Sequence, residues 1–86
     1  MSRWKDEDRT PLALLRSKAG FSREDAAAVL KVVAMTLYRY EIGKNDIPLG
    51  TAEDMAVLYK ISFDDLRKAS RETKELYKVR HSKEMK

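Results

Sequence analysis

The sequence predicts an all-α domain of five short helices joined by tight turns. Three features lead there. Helix start and stop signals recur at short intervals, no stretch alternates apolar and polar residues with period two, and no hairpin dipeptide joins two candidate strands.

The elements follow in order. Thr10-Pro11 places an N-cap before a proline at the first helical position. Leu12, Leu15 and Ala19 then share a face and Gly20 stops the chain, so the first helix is expected over 11–19. Ser22-Arg23-Glu24-Asp25 is a capping box with Asp in the reciprocal position. It opens a second helix over 23–30 with Ala26, Ala27 and Leu30 inward, and Ala26-Ala27-Ala28 lets a neighbouring helix approach closely. After Lys31, Val32 and Val33 comes a third helix to about Ile42, with Leu37 and Tyr40 inward and Gly43 ending it. Ile47-Pro48-Leu49-Gly50 reads as a turn. Thr51 then caps a fourth helix that runs to Tyr59 with Ala52, Met55, Ala56 and Tyr59 on one stripe, core positions rather than a cofactor box. Ser62-Phe63-Asp64-Asp65 opens the fifth helix, with Phe63 and Leu66 inward.

Eighty-six residues allow one small domain. Of 19 Leu, Ile, Val and Phe residues, none lies in 1–9, 17 lie in 10–66 and two in 67–86. The expected organisation is an N-terminal arm (1–9), a helical domain (10–68) and a C-terminal tail (69–86), with the core ending near Leu66. Leu66, Ala69/Ser70, Thr73, Leu76/Tyr77 and Arg80 recur at helical spacing, so the tail either continues the fifth helix, forms a sixth, or frays. Trp4 is expected to dock on its own domain or on a partner.

The charge of +4 is uneven: +2 over 10–46, −3 over 47–66 and +5 over 67–86. Basic segments suit a polyanion partner or a solvated tail. The acidic pairs Glu53-Asp54 and Asp64-Asp65 sit at helix N-termini, where they offset the dipole. With no cysteine and one histidine, His81, there is little to build a nucleophilic or metal centre, so no catalytic residue, metal ligand or cofactor is expected. No apolar run nears the roughly 20 residues a membrane-spanning helix needs, and no signal-peptide core follows the start methionine. A soluble, cytoplasmic protein without membrane attachment is the expectation.

Only about three residues separate the second and third helices, as in a helix-turn-helix. Leu15-Arg16-Ser17-Lys18-Ala19-Gly20-Phe21-Ser22-Arg23-Glu24-Asp25-Ala26-Ala27-Ala28-Val29-Leu30-Lys31-Val32 resembles the first two helices of the Cro/C1-type (xenobiotic-response-element) helix-turn-helix family. Thr36-Leu37-Tyr38-Arg39-Tyr40-Glu41-Ile42-Gly43-Lys44 resembles the end of that family's recognition helix, and Pro48–Ala56 with Ile61–Leu66 its fourth and fifth helices. The likeness runs without gaps over about residues 11–68. It implies a compact five-helix, lambda-repressor-like domain and a DNA-binding transcriptional regulator, commonly a phage or mobile-element repressor.

Carried over by position, the resemblance assigns DNA contacts to Ser22 and Arg23 at the second helix and to Val33, Ala34, Met35, Tyr38 and Arg39 at the recognition helix, with Lys44 beyond. Arg39 can take a guanine bidentately or pair with phosphate, and Tyr38 can reach a phosphate or pack on a thymine methyl. Lys31 and Lys44 are phosphate anchors by their chemistry. Arg16 and Glu41 match a structural ion pair of the family. Three positions depart from the pattern. Val33 replaces the capping Ser/Thr, Ala34 a polar base reader, and Lys31 the turn glycine, where a left-handed conformation is costly. The implied partners are double-stranded DNA and a second copy of the chain. The alternative keeps the scaffold but binds another regulatory protein, as an antirepressor would, through the apolar strip Val29, Val33, Ala34 and Met35.

Overall fold

The structure, a computed structural model, describes residues 10–84, with side chains as far as Arg80. Trp4 and His81 lie outside the described side chains. Five helices follow one another: α1 (Pro11–Lys18), α2 (Arg23–Leu30), α3 (Ala34–Ile42), α4 (Leu49–Tyr59) and α5 (Phe63–Glu84). There is no strand among the described residues, and the all-α class stands. No helix among them is long and apolar enough to cross a membrane.

α1, α2 and α5 each begin at a side chain that accepts from a first-turn N–H. Thr10 accepts from Ala13 N–H at 3.1 Å with Pro11 at the first helical position. Ser22 accepts from Asp25 N–H and Ser62 from Asp65 N–H, both at 3.0 Å. Such caps are each worth about 1 kcal/mol. The α3 start has none: Val33 stands at its N-cap without a side-chain hydrogen bond. α2 and α4 both end on lysines in the left-handed region, Lys31 (φ 62°) and Lys60 (φ 59°).

Two boundaries differ from the sequence expectation. α1 ends one residue earlier, at Lys18. α4 starts two residues before Thr51, because Pro48 holds the N-cap geometry and its carbonyl accepts from Ala52 N–H at 2.9 Å. Leu49 and Gly50 are therefore helical, not turn, and Thr51 does not cap α4.

Leu12, Leu37, Met55 and Leu66 are fully buried at the centre, with Ala26 and Ala56 filling the close approaches. A buried Leu or Met contributes about 1.5–3 kcal/mol, so these few side chains carry much of the fold. The core does not stop at Leu66. α5 runs through residue 68 unbroken, and Ala69 and Thr73 are buried against α1 and α3. Counting strongly apolar residues missed them because one is small and the other polar. Thr73 Oγ1 accepts from Leu12 N–H at 3.3 Å, satisfying a second donor in the first turn of α1.

Candidate nucleic-acid interface

α2, the turn Lys31-Val32-Val33 and α3 form a helix-turn-helix. The Val32 N–H reaches back to the Ala27 carbonyl at 3.0 Å, closing α2, while Val32 tucks against the core. Leu37 and Tyr40 bury one face of α3. With 3.6 residues per turn, the opposite face must carry Met35, Tyr38 and Arg39. Met35 and Arg39 are exposed and Tyr38 is half-buried.

A buried ionic cluster sets the orientation of α3. Glu41 is 1% exposed. Arg16 Nε donates to its Oε2 at 2.6 Å and a terminal nitrogen to its Oε1 at 3.3 Å. The other terminal nitrogen donates to the Phe21 carbonyl at 2.8 Å. One guanidinium thus ties α1, the α1–α2 turn and α3 together. Thr10 Oγ1 donates to the Glu41 carbonyl, adding a second link from α1. A buried charge of this kind is tolerable only when its hydrogen bonds are made.

Arg23 joins the same cluster. Its Nε donates to Glu41 Oε1 at 3.3 Å, and its guanidinium lies 5.0 Å over the Tyr38 ring. Arg23 is therefore stacked between a buried carboxylate and an aromatic on the outer face of α3. The sequence reading placed Arg23 and Tyr38 on a common surface but did not see that they touch, nor that Arg23 shares Glu41 with Arg16. The signal was available only as spacing: Arg16 and Arg23 flank the α1–α2 turn, and Glu41 stands near the end of α3.

The remaining residues of interest are more scattered. Ser22 is exposed beside Arg23, its oxygen engaged as the α2 cap. Lys31 is exposed at the far end of α2, a helix of about 12 Å by its residue count. Val33 is 67% exposed and Met35 56%, whereas Ala34 is half-buried. Lys44 is exposed just past Gly43, its N–H donating to the Arg39 carbonyl at 3.0 Å.

The cluster has one loose end. Tyr59 Oη is buried and has no hydrogen-bond partner among the described residues. Burial raises its pKa above the ordinary tyrosine value, the Glu41 carboxylate pushes the same way, and Arg16 opposes both. No group of three or more His, Cys, Asp or Glu suited to a metal ion occurs among the described residues.

An all-α unit whose third helix is anchored by its inner face and offers the outer one across a three-residue turn is the architecture of DNA-binding regulators. Residues 10–69 match the family model described as Helix-turn-helix domain. That is most of the chain, and the protein belongs to this family, in keeping with the Cro/C1-type resemblance. No curated protein and no solved structure matches the sequence.

Proposed function

We propose that the protein is a sequence-specific transcriptional regulator, a repressor of the phage or mobile-element kind, that lays α3 in the major groove as a homodimer on a twofold operator. The observation that carries this reading is the outer face of α3, where Arg39 is exposed beside a Tyr38 held by Arg23. Arg39 reads a guanine edge, a contact worth about 1–3 kcal/mol of discrimination. Tyr38, with its ring fixed from behind, presents its hydroxyl edge to a phosphate or its face to a thymine methyl. Lys44 and Lys31 add phosphate contacts without sequence information, and Ser22 can turn its hydroxyl proton to the backbone. Val33, Ala34 and Met35 offer only apolar contact, which suits thymine methyls. One such helix spans few base pairs, so tight specificity calls for two copies with half-sites about 34 Å apart.

Arg23 belongs to this reading as a positioning residue. It occupies the helix N-terminus where a phosphate would approach, but its fixed contacts are with Glu41 and Tyr38.

The test is capture of fragmented genomic DNA from the source organism on the immobilised protein, with Arg39→Ala in parallel. Enrichment of one palindromic site, lost in the variant, is the expected outcome. Uniform, salt-sensitive retention by both forms would leave only non-specific phosphate binding. No retention, together with a stoichiometric protein partner lost in Met35→Asp, would replace this reading with a protein-binding one.

A further inference from the structure

Away from the α2–α3 surface, an open cleft of about 460 Å³ lies between the loop after α3 and the first turns of α5. Its two sides differ in chemistry. Ile47, Leu49 and Phe63 form an apolar floor, of which Leu49 is 65% exposed. Arg67, Arg71 and Lys74 rise along α5 at i, i+4 and i+7, one cationic stripe turned away from the face that buries Leu66, Ala69 and Thr73. The Arg67 guanidinium lies 5.9 Å over the Phe63 ring, so the cation borders the apolar floor directly. Lys74 is paired with Asp46 across the rim. Arg71 has no ion-pair partner among the described residues. Three cations face one carboxylate, and the cleft is positive.

We propose that this cleft binds a small soluble organic acid: an apolar, preferably aromatic body on Ile47, Leu49 and Phe63, with its carboxylate, sulfonate or phosphate on Arg71 and Arg67. Each half of the site rules out a simpler ligand. An inorganic anion would leave the floor wet, and a neutral apolar molecule would strip water from the cations without pairing them. A DNA backbone brings charge but no apolar body. The volume falls in the range of small-molecule sites, roughly 300–1,000 Å³, and a guanidinium suits a planar acid through two parallel hydrogen bonds. An acid that also draws on Lys74 competes with Asp46, three residues past the Gly43 cap of α3, so occupancy is felt in the loop that follows α3. The site does not depend on the DNA-binding reading.

The experiment is a heteronuclear NMR titration of the full chain with anilinonaphthalene sulfonate. N-phenylnaphthylamine, the same rings without the sulfonate, and inorganic sulfate serve as controls. Expected are one saturable site and amide shifts at Ile47, Phe63, Arg67 and Arg71. Binding should be about tenfold weaker for the neutral probe and in Arg67→Gln/Arg71→Gln, a factor well within the loss of charge pairing, and sulfate should not displace the sulfonate. Shifts centred on Val29, Val57 or Met35 would overturn the proposal. So would equal binding of the neutral probe, displacement by sulfate, or indifference to the double substitution. Should the double variant prove less stable, Arg71→Gln alone decides the matter, since Arg71 is exposed and makes no ion pair among the described residues.

Discussion

Gly43 and Thr73 meet backbone to backbone. A Cβ built on Gly43 would lie 2.7 Å from the Thr73 carbonyl oxygen and 3.1 Å from the Tyr77 Cβ. This contact seats the end of α3 on α5.

Gly43→Ala is therefore expected to cost more than a conformational penalty. Its φ of +90° already disfavours a side chain, by about 1–2 kcal/mol. The clash with a carbonyl that cannot swing aside comes on top. Gly20 has nearly the same φ, +88°, and nothing within 4 Å of its would-be Cβ. Urea unfolding of Gly20→Ala and Gly43→Ala separates the two effects: equal losses would show that α5 yields at Thr73.

The Arg16–Glu41 pair makes a second prediction. Arg16→Met leaves Glu41 buried with only the longer Arg23 contact, and is expected to destabilise by about 3–5 kcal/mol. Arg16→Met/Glu41→Leu removes both charges and should lose less than Arg16→Met alone. Chemical denaturation of the two variants checks the order. A double variant weaker than the single would mean that the carboxylate is well solvated.

Thr73 gives a third. Thr73→Val keeps the shape but leaves the Leu12 N–H without its acceptor in a buried site, for an expected loss of about 1–3 kcal/mol. A chain ending at residue 69 removes Thr73 and should unfold, whereas one ending at residue 80 should keep its helical circular dichroism and melting point.

The fourth concerns alkaline pH. The Tyr59 phenol stays protonated in the folded protein above the pH at which the unfolded chain ionises, near 10.0. The unfolded state then holds fewer protons than the folded one, so stability falls as pH rises past that point. Tyr59→Phe removes this fall and also deletes an unpartnered buried hydroxyl, so it is expected to be neutral or stabilising near neutrality by up to about 1 kcal/mol. Denaturation midpoints of both forms between neutrality and about pH 11 should diverge upward; parallel curves would place the phenol in contact with solvent.

Much of the fold was legible because its signals are local. Thr10, Ser22 and Ser62 cap helices by reaching their own next turn, and Gly43 stops α3 by a conformation that most residues avoid. Pro48 is ambiguous in the sequence for a related reason. A proline can end a turn or occupy a helix N-cap, and packing of the following residues chose the second.

The candidate interface was legible only as a face. Spacing put Met35, Tyr38 and Arg39 together and set Leu37 and Tyr40 behind them, because a helix of fixed pitch leaves no other arrangement. It said nothing of the Arg23 stack on Tyr38 or the three-way claim on Glu41, whose contacts join residues 15 to 31 apart along the chain, nor of the Tyr59 hydroxyl orphaned by burial. The same limit hid the cleft proposed to bind an acid, whose floor comes from the loop before α4, the first residue of α4 and the first residue of α5, and whose charge comes from further along α5.

By itself the sequence determined the helical class, the order of helices, the three-residue turn and the family pattern, all consequences of backbone preference and periodicity over a few residues. The tertiary structure decided that the core extends to Thr73, that one carboxylate holds three elements in register, and which cations remain open to a ligand. Hydrogen bonds and charges act through space at distances of a few ångströms, and only the folded chain brings residues as distant as Leu12 and Thr73 within that reach.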